Sequence, residues 1–497
     1  MQDLAREFDA VIIGTGPTEA LVSGALAQNH KTVINFDQNT LYGGCRRTFN
    51  IREFMEWVQT NGTIDTNRVT EFLGEQYRAS AFCIDLVPSI IYSNDALVKL
   101  LIDSGSADSI NITNIDGLFF PSNGQFRPIP SSKSAIFADK FMSLKQKRAS
   151  MKFISSFLST EEYGHQMKSE EMDQLIASYH DKELSALLTD IGFDEDLINA
   201  FQYLVAAANG PILVKDAIPR IEQFVKSIGI YSSSPFISFF YGVADIPQIF
   251  DRISAVYGGI FILNKTADEI TKDENGVYHL KVPEIGEVTT KTLIVGSNQI
   301  KYPEDTPKRH LADREVLVTK YALLPKERSV LIIPPGRYGN PKPVWIFQYD
   351  KGMGMAETGY YVIHFVSMGE TKTTSNRLLE LNPELAENLV LRATFEVTEF
   401  DKSPCEGCYF VKSPTVDDFI FGFKYFIDQA REIVKQIGED IPFYPPPTEV
   451  EVEVPIEETN TEKKEEQENK EGEAKKEEET KNDVEEKKET NNEEKKE

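Results

Sequence analysis

Four residues near the start of the chain carry the pattern of phosphate chemistry. Gly14 and Gly16 follow the short apolar run Val11–Ile13, Glu19 stands three positions on, and Asp37 ends the next apolar run. In a dinucleotide-binding fold the first glycine makes the tight turn. The second lets the backbone approach the pyrophosphate, and a third lets the helix pack close to the strand. Here Glu19 replaces the third. A carboxylate in the first helical turn suits the helix dipole, but it competes with a phosphate for the same amide donors. Asp37, about 20 positions past the glycines, reads either as a ribose ligand or as a turn aspartate.

A second half of a flavin site would need a late strand ending in Gly-Asp. The corresponding run here is "CYFVKSP", residues 408–414, and it has none; Phe419 and Phe421 follow where small residues would be needed. The expectation is a degenerate turn at Gly14, Gly16 and Glu19, with no cofactor. No G-x-S-x-G or H-E-x-x-H occurs, and the six histidines are scattered. His364, in "YYVIHFV", reads as a packed strand histidine. Cys405-Glu-Gly-Cys408 is a single C-x-x-C without a second ligand pair. It reads as a loop with two free thiols, with a redox role or half a zinc site as alternatives. No catalytic residue and no metal site is expected.

The elements that must position these residues are legible as patterns. Residues 8–45 read as strand, glycine turn, helix and strand, one βαβ unit followed by Gly43-Gly44. Residues 51–78 look helical. "FCIDLVPSIIYSNDALVKLLID" (82–103) reads as strand, turn and helix, with Pro88 starting the new element. From Ser131 a helical period takes over, with apolar residues at 136, 137, 141, 144, 151, 154, 157 and 158. It continues to about Ser227, roughly the size of a small domain. Strands return at 234–242, and Asp245 to Tyr257 is a helix with Pro247 in its first turn. Residues 315–410 alternate as an antiparallel sheet, and 417–437 form a long amphipathic helix. The expected fold is α/β: a first domain with parallel and antiparallel sheets, residues 1–130 and 230–447, split by a helical domain at 131–229. Residues 448–497 read as a disordered acidic Glu/Lys-rich tail.

Composition narrows the function classes. The chain of 497 residues has a formal net charge of −26. From Pro455 onward 18 acidic residues face 10 basic ones, which leaves −18 on the rest. That balance excludes a nucleic-acid binder and a polybasic membrane anchor. Four cysteines fit a reducing compartment. The N-terminus is acidic where a signal peptide is basic. No stretch reaches the ~18 apolar residues of a span, and the C-terminus offers no prenylation box. The expectation is a soluble cytosolic protein.

Three stretches together resemble one family. "DAVIIGTGPTEALVSGAL…VINFDQNTLYGG", "FCIDLVPSIIYSNDALVKLLI" and "FFYGVADIPQIFDRISAVYGGIFILNK" look like conserved regions of the Rab GDP-dissociation inhibitor and Rab escort protein family. The resemblance spans residues 9–265, with looser agreement to about 447. It implies a flavoprotein-like fold without redox chemistry, GDP-bound Rab GTPases as partners, and shielding of their geranylgeranyl lipid with transient membrane contact. It also implies a Rab-binding platform at Tyr42, Asp245, Gln248 and Arg252. The last three sit at i, i+3 and i+7 on one polar helix face, with Ile246, Phe250, Ile253 and Val256 expected opposite and buried. The sequence departs from the family at Asp245, usually Glu, at Ile249, usually Gly, and at Ser80, usually Arg.

The escort branch adds docking on the Rab geranylgeranyl transferase heterodimer, through a Phe and an Arg eleven residues apart. Phe137 and Arg148 have that spacing in "AIFADKFMSLKQKRASMKF". The competing reading makes Phe137 a core residue of its helix. The expected function is a Rab escort protein, an accessory subunit without its own active site. A recycling inhibitor, a bare Rab-binding scaffold and a flavin oxidoreductase are the alternatives.

Overall fold

Two sheets divide the work of positioning. In the first, the strand Glu7–Ile13 lies between Val33–Asp37 and Gly286–Gly296, all parallel, and Ile260–Leu263 extends the sheet beyond Val33–Asp37. Tyr409–Val411 adds a further parallel strand on Ile294–Gly296. The far edge turns antiparallel through Tyr278–Val282 and Glu269–Lys272. Strands buried on both faces read as continuous apolar runs, which is why this parallel core was visible in the sequence. Helices Pro17–Gln28, Asp245–Val256 and Lys424–Ile437 pack against it, and the ring of Phe250 meets Tyr444 edge-on at 5.3 Å.

The second sheet has eight strands, in the order Gly62–Asp65, Leu389–Phe400, Lys308–Thr319, Tyr361–Ser367, Val344–Tyr349, Ser329–Ile333, Gly117–Ser122 and Gln125–Pro128. It is antiparallel except where Ser329–Leu331 run parallel to Gly117–Phe119. Two expectations are corrected here. The stretch 51–78 is not one helix: Ile51–Asn61 ends at Gly62, and Gly62–Asp65 becomes an edge strand on Arg392–Phe395. A Cβ at Gly62 would press into the carbonyl of Thr394, so only glycine allows this approach. After Pro88 the chain first forms a short strand, Ile91–Tyr92; the helix begins at Ala96, where Asp95 accepts the Leu97 N–H at 2.8 Å.

The helical stretch contains Lys133–Ala138, Leu144–Ser155, Glu170–Ser178, Leu184–Ile191, Glu195–Ala200, a π-turn at Phe201–Val205, and Val214–Ser227. Its apolar residues Phe153, Leu188, Leu204 and Phe224 share one core with Trp345 and Phe347 of the second sheet. The Trp345 indole donates to the Tyr203 carbonyl at 3.0 Å.

This computed structural model describes residues 5–130, 133–158, 170–403, 405–414 and 420–445. Met1–Pro446 form one compact unit. The expected tail 448–497 and Phe419 lie outside the described residues. Among the described residues no helix is long and apolar enough to cross a membrane.

Candidate functional site

The glycine turn is filled from within. Glu19 lies fully buried in the first turn of Pro17–Gln28. A Cβ at Gly14 or Gly16 would meet its carboxyl oxygens at 2.8 and 2.6 Å, and one at Gly296 would collide with the same group. The carboxyl therefore sits in a cradle of three glycines at the helix N-terminus, where a pyrophosphate would be held. Burial raises its pKa to about 8, against a hydrogen bond from its own backbone N–H, and Asp37 and Glu399 add repulsion. Asp37 is spent as well. Its Oδ2 accepts the Thr15 hydroxyl at 2.7 Å and the Thr15 N–H at 3.1 Å, and its Oδ1 accepts from Asn39 at 2.8 Å. It is the turn aspartate of the two readings. The Tyr42-Gly43-Gly44 turn closes over the top, since a Cβ on Gly44 would lie 3.0 Å from the Gly16 Cα. The residues present do not fit a dinucleotide pyrophosphate.

The same segments build a solvent-facing surface. Thr48–Asn50 pairs with Cys83–Asp85. From that ladder the buried Asp85 carboxylate accepts the Thr48 hydroxyl at 2.6 Å and the Val243 N–H at 3.0 Å. The Thr48 hydroxyl oxygen in turn accepts the Ala244 N–H at 3.2 Å. These bonds fix the turn that launches helix Asp245–Val256. On that helix Gln248 and Arg252 are exposed and Asp245 is half-buried, so the three expected residues share an outward face. Burial alone raises the Asp245 pKa to about 6. Tyr42 is half-buried beside the helix, its ring 6.1 Å from Phe261, with burial and the charges of Asp251 and Asp37 raising its pKa.

One part of the helix reading fails. Ile246, Ile249 and Phe250 are buried and Ile253 is half-buried, but Val256 is 73% exposed, beyond the end of the packed face. Asp251 and Ser254 are buried instead, on the side facing helix Pro17–Gln28, where the Ser254 and Ser23 hydroxyls lie 2.8 Å apart. Exposed Val256 and Tyr257 thus add an apolar margin to the polar face. Tyr241, also exposed, adopts φ +63 just before the helix, a conformation rare for a bulky residue. Sequence reasoning missed it, since nothing local marks a positive φ at a tyrosine.

A second exposed patch lies on the helical stretch. The expected continuous period from 132 to 158 breaks at Asp139 into Lys133–Ala138 and Leu144–Ser155. Asp139 accepts from the N–H groups of Phe141 and Met142, both at 2.8 Å, and forms a buried ion pair with Arg127 at 3.0 Å. Phe137 is 62% exposed, which overturns the core reading, and Arg148 is exposed on the next helix. Lys147 ties the two helices by donating to the Phe137 carbonyl at 2.6 Å. Phe141 and Leu144 are exposed beside them. Beneath this patch an apolar void of about 20 Å³ is lined by Phe120, Ile136, Met142, Leu197 and Phe201.

His364 is fully buried, and its Nδ1 lies 3.0 Å from the Arg314 guanidinium. Burial and that cation hold its pKa well below the ordinary histidine range. Among the described residues no group of three or more His, Cys, Asp and Glu is placed to hold a metal ion.

A solved Rab GDI from Plasmodium falciparum superposes with a TM-score of 0.67 at 17% identity, covering 88% of this chain and 100% of that one. An oxidoreductase from Methanosarcina mazei superposes at 0.50 with 12% identity, covering 82% and 94%. The fold is flavoprotein-like. Among curated proteins, the Drosophila melanogaster "Rab proteins geranylgeranyltransferase component A" is 24% identical over 90% of this chain and 91% of its own length. A Rab GDP-dissociation inhibitor from Pyricularia oryzae is 26% identical over 78% and 84%. A family model described as GDI, GDP dissociation inhibitor, matches residues 4–415, and with the cradle closed by Glu19 and the motif segments joined at Asp85, the chain belongs to the GDP dissociation inhibitor family.

Proposed function

We propose that the protein is a Rab escort protein. It binds GDP-bound Rab GTPases through the face carrying Tyr42, Asp245, Gln248 and Arg252, presents them to Rab geranylgeranyl transferase, and keeps the lipidated product in solution until delivery to a membrane. It works in the cytosol as an accessory subunit. Residues 131–229 form the part that meets the transferase and the lipid.

The observation that carries the escort reading is the exposure of Phe137 at 62%, with Arg148 exposed on the adjoining helix. An aromatic and an arginine held on a fixed corner make good hot-spot chemistry. With Phe141 and Leu144 exposed beside it, Phe137 belongs to an apolar patch, which favours a partner there. The lipid would enter the apolar layer under the patch, gaining roughly 0.8 kcal/mol per CH₂. The void there is only about 20 Å³, so the helices must part to admit it.

The test is prenylation of a Rab by purified transferase with this protein added. Lipid transfer is expected, and Phe137→Ala is expected to abolish it while Rab binding persists. A recycling inhibitor is the second reading, favoured by the superposition on all of a solved Rab GDI. It replaces the first if no lipid is transferred yet prenylated Rab·GDP is extracted from membranes.

A further inference from the structure

The loop between strands Leu389–Phe400 and Tyr409–Val411 brings two thiols to one turn. Cys405 and Cys408 are half-buried, and Glu406 and Gly407 between them are exposed, so solvent reaches the turn. Ser403 ties the pair together. Its hydroxyl oxygen accepts the Cys405 N–H at 3.0 Å and lies 3.1 Å from the Cys408 sulfur. The Cys408 thiol donates to the Cys405 carbonyl at 3.2 Å, closing the turn, and Gly407 supplies the left-handed residue at φ +71.

The Lys272 ammonium lies against this turn. Lys272 Nζ donates to the Tyr278 hydroxyl at 3.1 Å, and that hydroxyl donates to the Glu406 carbonyl at 3.0 Å. A Cβ on Gly407 would lie 2.8 Å from the same ammonium. Beside a cation and hydrogen-bond donors, a thiolate is the favoured form of a cysteine. The hydrogen bond from Cys405, helped by Ser403 and Lys272, lowers the Cys408 pKa to about 7, and Cys405 is raised in exchange. The other two cysteines differ. Burial pushes Cys45 up to about 11 and Cys83 up to about 12.

We propose that Cys405 and Cys408 form a reversible redox site, a dithiol that exchanges with small-molecule disulfides of the glutathione type to give an intramolecular disulfide. The Cys408 thiolate attacks one sulfur of glutathione disulfide. A mixed disulfide forms on Cys408, and one glutathione thiolate leaves and takes up the proton Cys408 gave to solvent. The Cys405 sulfur, losing its proton, then attacks the Cys408 sulfur. The bond to glutathione breaks, and the second glutathione leaves and is protonated. Two electrons pass from the protein to glutathione, and two thiols plus one disulfide become one disulfide plus two thiols. Lys272 is a positioning residue that favours the attacking thiolate. In a reducing compartment such pairs act transiently, as sensors.

The test uses the full chain equilibrated with excess glutathione disulfide, acid-quenched, unfolded in denaturant, then alkylated and mapped by mass spectrometry. Two cysteines, Cys45 and Cys83, are expected to remain alkylatable, and the peptide holding both loop cysteines is expected to have lost two hydrogens. Cys405→Ser is expected to trap glutathione on Cys408, and Lys272→Met to slow the first step. Four alkylatable thiols in the wild-type chain would overturn the proposal, and so would modification of Cys45 or Cys83 ahead of Cys408. The wild-type count requires no variant to fold.

Discussion

Arg127 and Asp139 form a buried ion pair, Nη2 to the two carboxylate oxygens at 3.1 and 3.0 Å, at the corner between the helices that carry Phe137 and Arg148. The pair sets the angle of an exposed surface without being part of it. Burial opposes the charge on Asp139, but the Met142 N–H and Arg127 outweigh it and hold its pKa below the usual range. Arg127→Ala leaves that carboxylate with only the Phe141 and Met142 N–H groups, a loss of about 2 kcal/mol. Urea unfolding reads this cost. Transferase binding is expected to fall in the same variant while Rab·GDP binding stays within about twofold. Equal loss of both would mean that the corner serves the whole fold.

The platform residues are expected to act on binding and not on stability. Gln248 and Arg252 are exposed, so replacement by Ala should move stability by no more than about 0.5 kcal/mol. Loss of Rab·GDP affinity on the order of tenfold is expected for Arg252→Ala. Calorimetric titration with a GDP-loaded Rab checks it, and unchanged affinity removes Arg252 from the interface.

Asp245 gives the same surface a pH signature. Burial raises its pKa to about 6, so its negative charge is present at neutral pH and lost below that value. Binding to a basic group on a Rab is therefore expected to weaken as pH falls from about 7 to about 5. Asp85, behind the same helix start, is also raised to about 6 by burial. Asp245→Asn separates the two, because any slope left in that variant belongs to Asp85 or to the Rab.

Asp85 touches no partner in this reading, yet its loss should reach the platform. Removing the carboxylate orphans the Val243 N–H and the Thr48 hydroxyl, at a cost of about 2 kcal/mol. Asp85→Ala is expected to show both that loss in denaturant unfolding and weaker Rab binding. Thr48→Ala combined with it should cost less than the sum of the two, since they share one network.

Glu19 predicts a pH-dependent stability. Its folded pKa of about 8 lies above the ordinary 4.5, so between these values the folded chain holds a proton that the unfolded chain has lost. That contribution is complete below about 4.5 and declines as pH rises through about 8, at up to about 1.4 kcal/mol per pH unit. Glu19→Gln carries no such proton. Its stability relative to wild type is expected to increase from about pH 5 to about pH 8, measured by denaturant unfolding. A constant difference would show that Glu19 is not protonated in the folded chain.

What the sequence made legible was local. The glycine turn, Glu19 and the helix beginning at Asp245 are read from neighbours a few positions apart, and the parallel strands from continuous apolar runs. Asp85 lay in plain sight within Ile84-Asp85-Leu86, but its partners stand 37 and 158 positions away. No periodicity reports such a bond. The edge strand Gly62–Asp65 was missed for the same reason, because only pairing with Arg392–Phe395 makes it a strand. Val256 fits the helical period yet faces solvent, since a period says which residues share a face and not where the neighbouring element stops. At Asp139 two helices shared one period, and the break came from a carboxylate that takes the Phe141 and Met142 N–H groups and pairs with Arg127.

A protein whose cradle waits for a soluble cofactor draws part of its stability from ligand supply, growing with ligand concentration over its dissociation constant. Here the occupant is a side chain on the same helix, delivered with the chain itself. Its effective concentration never varies, so every copy leaves the ribosome already loaded. Such a scaffold folds alike in cells rich or poor in flavin.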